Sequence, residues 1–210
     1  MLDMNRQAVI DEFGLTSEIV EKLDTLVSEL LRWQTVKNLV GPATLEQVWS
    51  RHIADSLQLH ALAPDAKRWL DLGSGAGFPG LVLAILGSSA GFNVTLVESN
   101  ARKCAFLRHV TRLTEAAATI HVDRLERIIP EMGGKVDILT ARALAPLFQL
   151  LEWGKPLLET GAIGLFPKGR DLTLELQEAG KFWELDYKIY PSRIDPESSI
   201  LWVTSVRRMS

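Results

Sequence analysis

One ten-residue segment constrains this chain more than any other: Asp71-Leu-Gly73-Ser-Gly75-Ala-Gly77-Phe78-Pro79-Gly80. It grows out of Arg68-Trp69-Leu70-Asp71-Leu72, which reads as a short buried strand, and it leads into Pro79 to Leu86, which is apolar and helical. A strand that passes through a glycine-rich turn into a helix is the opening unit of a doubly wound sheet. In such sheets ligands bind outside the carboxyl ends of the strands. Glycines there let the backbone approach a ligand closely. Glu98 ends the next strand, Asn93 to Glu98, where a carboxylate can accept hydrogen bonds from ribose hydroxyls.

The rest of the chain is consistent with that start. Residues 100–114 read as an amphipathic basic helix. Thr119 to Val122, Val136 to Thr140 and Ala162 to Phe166 read as strands, with a helix from Pro146 to Leu158 before the last of them. Asp186 to Tyr190 and Ile200 to Val206 read as two closing strands joined without a helix. The alternation predicts an α/β fold, a mostly parallel sheet with helices on both faces and one antiparallel strand. Before it, Thr16-Ser17 cap a helical run of Ile19, Val20, Leu23, Leu26, Val27, Leu30 and Leu31. A second helical pattern uses Leu45, Val48, Trp49, Ile53 and Leu57, and Pro64-Asp65 breaks it. This divides the chain into an N-terminal helical region, residues 1–66, and a ligand-binding domain, residues 67–210.

Composition excludes several classes. With 47% hydrophobic and 23% charged residues, the chain has material for a globular core. The single Cys104 cannot form an intramolecular disulfide, no apolar run approaches the ~20 residues of a membrane span, and the first fifteen residues lack a basic stretch ahead of an apolar one. The expectation is a cytoplasmic protein with no membrane partner. A net charge of −3 excludes a wholly basic nucleic-acid binder but not a local basic face. Residues 100–130 carry six basic residues, Arg102, Lys103, Arg108, Arg112, Arg124 and Arg127, against Glu115, Asp123 and Glu126. The plain alternative is an ordinary solvated face.

Two ligands suit the glycine loop. Gly75-x-Gly77-x-x-Gly80 matches a dinucleotide fingerprint. Asp71 would then stand close to a pyrophosphate, and like charges repel. S-adenosylmethionine carries a sulfonium and an ammonium instead, which an acid beside the loop favours. Asp71-x-Gly73-x-Gly75-x-Gly77 is also the form seen in methyltransferases that use it. Missing motifs narrow the chemistry. Cys104 lies inside a helix and reads as a packing residue, not a nucleophile. The stretch after the fourth strand is Thr140-Ala141-Arg142-Ala143-Leu144-Ala145-Pro146, with no Asn/Asp-Pro-Pro-aromatic loop for exocyclic amine transfer. His52, His60, His109 and His121 are scattered, so no metal is expected. What remains is an acceptor that is already nucleophilic. A guanine N7 fits, though these motifs alone do not single it out.

Several segments together resemble the RsmG family, also called glucose-inhibited division protein B: bacterial small-subunit ribosomal RNA guanine-N7 methyltransferases. They are Trp33-x-x-x-x-Asn38-Leu39, Arg51-His52-Ile53-Ala54-Asp55-Ser56, the loop through Gly77-Phe78-Pro79-Gly80, Glu98-Ser99-x-x-x-Lys103-x-x-Phe106-Leu107, Arg124-x-Glu126, Thr140-Ala141-Arg142-Ala143 and Lys168-Gly169. The chain departs from the family pattern at Ala141 for a serine, at Glu98 for an aspartate and at Ser198-Ser199 for an Arg-His pair. The resemblance implies a class I, Rossmann-like methyltransferase fold and the cofactor S-adenosyl-L-methionine. It also implies N7 of a guanine in 16S ribosomal RNA, guanine 527, as acceptor. By the same resemblance Gly73, Phe78, Leu125, Glu126 and Arg142 contact the cofactor, alongside Asp71, Gly75 and Glu98 from the loop argument. Arg51, His52, Arg102, Lys103 and Lys168 are the residues expected to face RNA. Transfer to a small molecule or protein, or a non-catalytic S-adenosylmethionine-binding regulator, remain the alternatives at this point.

Overall fold

The computed structural model describes residues 5–35, 39–41 and 45–209. Asn38 of the first resembling segment lies outside them. A seven-stranded sheet runs β3 (Ala118–His121), β2 (Asn93–Val97), β1 (Arg68–Leu72), β4 (Ile138–Thr140), β5 (Ile163–Lys168), β7 (Ser199–Arg208), β6 (Trp183–Pro191). β3, β2, β1, β4 and β5 are parallel, and β7 pairs antiparallel with both β5 and β6. β7 is the one antiparallel strand that a helix-free closing connection requires. The order reverses between β1 and β4, so the glycine loop after β1 opens at the switch point of the sheet.

Alternating side chains of the strands feed two apolar layers. Trp69, Val94, Leu96, Ile138, Leu165 and Ile200 pack toward α4 (Gly80–Ala90) and α5 (Ala101–Thr114). Leu70, Leu72, Val97, Leu139, Phe166, Leu201 and Val203 face the other way, toward the short α6 (Leu125–Ile128), α7 (Leu147–Leu158) and α8 (Leu172–Ala179). α1 (Arg6–Phe13) and α2 (Ser17–Gln34) precede them, and Thr16 caps α2 by accepting from the Ile19 amide. α2 packs on α4 and α5, and its Leu23, Leu26 and Leu30 are fully buried in the first layer. The N-terminal helices and the sheet therefore share one continuous core.

The second helical pattern resolves into two parts. Residues Trp49–Ala54 form a π-helical segment that passes directly into α3 (Asp55–Leu62). This widened turn holds Arg51 and His52, and such segments are frequent at functional sites. Among the described residues, no helix is long and apolar enough to cross a membrane.

Candidate active site

The turn after β1 is built on backbone conformations that only glycine adopts at no cost. Gly73, Gly75 and Gly77 have φ of 62, 56 and 92°. A Cβ on Gly73 would collide with Leu144, whereas one on Gly75 would meet nothing of the protein closer than 3.8 Å. Glu98 clasps the loop from the side. Its carboxylate accepts from the Gly75 amide at 2.9 Å and from the Asn100 amide at 2.8 Å. Asn100 in turn caps α5 by accepting from the amides of Arg102 and Lys103. Cys104 is buried in α5 and its thiol donates to the Glu98 carbonyl.

Asp71 stands behind the loop rather than on its open side. It is 1% exposed, and one carboxylate oxygen accepts from the Gly80 amide at 3.2 Å while the other is buried without a partner. Burial raises its pKa to about 7. The Ser74 hydroxyl nearby, which donates to the Asp71 main-chain carbonyl, the hydrogen bond from Gly80 and the charge of Arg142 work against that rise, and Glu98 adds to it. A Cβ on Gly80 would strike this carboxylate, so the last glycine of the motif makes room for Asp71.

In front of the loop lies a cavity of about 520 Å³. Gly73, Ser74, Gly75, Ala76 and Phe78 form one wall, with Lys103 from the start of α5. Arg142 and Ala143, just past β4, form the floor. Ala143 holds a φ of 52°, a strained value for a residue with a side chain. Arg51, His52 and Asp55 from the N-terminal region, Lys168 and Glu175, and the β6–β7 loop (Ile194, Asp195 and Ser198) complete the lining.

The centre of the cavity wall is a charge cluster drawn from three parts of the chain. Arg142 donates to the Arg51 carbonyl at 3.0 Å, to Asp55 at 3.1 Å and to His52 Nδ1 at 2.7 Å, and its guanidinium lies 5.5 Å from the Phe78 ring. His52 stacks on Phe78 with ring centroids 4.7 Å apart. An arginine has no lone pair to offer, so His52 Nδ1 is the acceptor and the ring is neutral. Burial, then the charges of Arg142 and Arg51, lower its pKa to about 3. Lys168 is 9% exposed, and its Nζ is 2.6 Å from Glu175.

The cavity thus gathers Gly73, Gly75, Phe78, Arg142, Arg51, His52, Lys103 and Lys168. Leu125, Glu126, Glu98, Asp71 and Arg102 are not on its wall. Leu125 is buried in the second apolar layer, Glu126 is exposed and accepts from the Trp153 indole at 3.1 Å, and Arg102 is exposed on α5. Asp55, Glu175 and the β6–β7 loop line the site although the sequence reading gave them no role there. Asp55 did carry a signal, since it follows Arg51-His52 in one helical run. Glu175 carried none, and the loop was marked only by Ser198-Ser199 standing where the family pattern has an Arg-His pair.

Known proteins bear on this arrangement. The family described as GidB, rRNA small subunit methyltransferase G, matches residues 19–193. A protein named ribosomal RNA small subunit methyltransferase G from Methylorubrum populi is 56% identical, over 97% of this chain and 97% of that one. One of the same name from a Bradyrhizobium species is 47% identical, over 92% of this chain and 88% of its own. Among solved structures, a SAM dependent methyltransferase from Aquifex aeolicus matches with a TM-score of 0.57 at 15% identity, covering 81% of this chain and 96% of that one. That likeness concerns the fold.

Proposed function

The chain belongs to the rRNA small subunit methyltransferase G family, and from that premise we propose that it transfers a methyl group from S-adenosylmethionine to N7 of a guanine in 16S ribosomal RNA, guanine 527. The observation that carries the reading is one cavity with two unlike halves. A cradle of left-handed glycines makes one half. Residues from the N-terminal helices and from the β6–β7 loop make the other, which this reading gives to the RNA.

The glycine half fits the cofactor. Gly75 leaves open space where any side chain would stand, the Arg142 guanidinium suits a carboxylate, and the Asp71 carboxyl behind the loop suits a cationic ligand. When bound, S-adenosylmethionine supplies a methyl carbon on a sulfonium, which the N7 lone pair takes as the carbon–sulfur bond breaks, with no proton to remove. The residues on the wall match that economy. His52 is neutral and locked by Arg142, whose charge Asp55 offsets, so the ring is held as a fixed neutral wall rather than as a base. Their contribution is to orient the reactants and exclude water, which can lower a barrier by roughly 7–11 kcal/mol. Leu125, Glu126 and Glu98 complete the cofactor site in this reading. Arg51 and Lys103 on the cavity lining, with Arg102 exposed on α5, meet the RNA backbone in this reading.

Labelled methyl groups from S-adenosylmethionine should enter ribosomal RNA and not protein or metabolite fractions. Mass spectrometry of 16S RNA from cells lacking the gene should show one guanine without its N7 methyl. An intact modification pattern, or label in protein alone, would overturn the reading.

A further inference from the structure

Among the described residues four cations line the cavity, and they stand in different circumstances. Arg142 is committed to Arg51, His52 and Asp55. Arg51 is exposed at the rim, and Lys103 is half-buried beside the glycine loop. Lys168 is nine-tenths buried on the cavity wall, at the carboxyl end of β5. Its ammonium carries three N–H donors. Among the described residues, Glu175 is the one acceptor bonded to it. A buried cation on a cavity wall with donors to spare is placed to hydrogen-bond what enters.

We propose that Lys168, held and neutralised by Glu175, reads O6 of the target base and so selects guanine over adenine; the inference rests on the guanine-N7 reading above. Both purines present an N7 lone pair, so the transfer chemistry does not choose between them. They differ at the neighbouring position, where guanine has the O6 acceptor and adenine an N6 amino donor. An ammonium can only donate there. It attracts guanine and opposes the adenine amine.

Glu175 makes this compatible with the reaction. Methylation at N7 leaves a positive charge on the purine, and a lone ammonium beside O6 would resist that charge as it develops. The carboxylate brings the pair to zero net charge while the donors remain. Glu175 is itself fixed, because the same oxygen that meets Lys168 accepts from the Leu147 amide at the start of α7. It is a positioning residue for Lys168.

The test uses small-subunit RNA carrying one analogue at the target position and reads single-turnover methyl transfer at saturating S-adenosylmethionine. Inosine keeps O6 and N7 and should react within a few-fold of guanine. 2-Aminopurine lacks O6 and should react about ten- to a hundredfold more slowly, the loss of a hydrogen bond to a charged group. In Lys168→Met the guanine rate should fall and the ratio of guanine to 2-aminopurine should collapse, with cofactor affinity retained. Lys168→Gln keeps a donor and should restore part of the ratio, which covers the case in which the methionine variant does not fold. Glu175→Gln should slow guanine about tenfold while preserving the preference for it; a purely structural role would lower the melting temperature and leave the saturated rate alone. Equal ratios in the wild type and both Lys168 variants overturn the inference. Methylation of 7-deazaguanine would instead overturn the N7 reading, which separates the two failures.

Discussion

A single buried carboxyl decides how the cofactor site responds to pH. Asp71 ionises near 3.8 in the unfolded chain and near 7 when folded, because burial disfavours its charged form. Between those values the unfolded chain binds fewer protons, so folding stability falls as pH rises through that window and levels off above it. The full loss is about 4 kcal/mol. Asp71→Asn should flatten the decline while keeping an acceptor for the Gly80 amide, and chemical denaturation at pH 5 and pH 8 measures it. A cationic ligand favours the ionised carboxyl, so S-adenosylmethionine affinity should rise through pH 7 with release of a proton. The transfer rate at saturating cofactor should stay level from about pH 6 to 9, because no group is tuned as a general base. A neutral-pH limb in that saturated rate, persisting in Asp71→Asn, would contradict the mechanism. At Gly73 the expectation is structural: a valine would carry a branched side chain at φ 62° and strike Leu144. Gly73→Val should abolish cofactor binding by calorimetry in a protein that still folds. Asp71 also marks a limit of sequence reading. The motif identifies an acid beside the loop, but only the packing of Gly80 against it shows that it lies behind.

Most elements were legible because their periods are clean, and the exceptions have physical causes. β1 spans the residues its apolar run predicts. β4 begins at Ile138 rather than Val136, and the intervening Asp137 accepts from the amides of Lys67 and Arg68. α8 was missed because Leu172, Leu174 and Leu176 alternate like a strand, and Leu174 is 61% exposed. The π-helical segment was hidden because Trp49, Ile53 and Leu57, spaced four apart, suit an ordinary helix equally well. Leu31, expected on the buried stripe of α2, is 46% exposed. α5 is an element whose two faces separate by burial. Cys104, Phe106, Leu107 and Val110 are buried, while Arg102, Arg108 and Arg112 are exposed, and among the described residues none of the three makes an ion pair. Replacing these three by Gln should weaken RNA binding and flatten its dependence on salt, by up to about 2 in the logarithmic slope if all three meet phosphates. Cofactor affinity should hold, since Lys103 and the Asn100 cap are untouched. An unchanged slope would place the RNA face elsewhere, with Arg51 the first candidate.

At the scale of the molecule, the boundary near residue 66 changes the architecture without dividing the core. Leu23, Leu26 and Leu30 of α2 are buried in the same apolar layer as Trp69 and Val94 of the sheet. Polar ties cross as well. Arg142 holds Asp55 and the Arg51 carbonyl, and Gln58 accepts from the Arg193 amide in the β6–β7 loop. Removing either part would expose a face that the other now covers, so the two should unfold together. Calorimetry should give one transition whose van't Hoff and calorimetric enthalpies agree. S-adenosylmethionine at a hundred times its dissociation constant should stabilise that whole transition by about 2.7 kcal/mol, and NAD at the same concentration should leave it in place. Hydrogen exchange should report the same coupling, with amides in α2 gaining protection beside those of β1 although α2 does not line the cavity. Two transitions, only one of them moved by the cofactor, would mean that the N-terminal helices fold as a unit of their own. The Arg142–Asp55 contact would then be a docking contact between separate bodies.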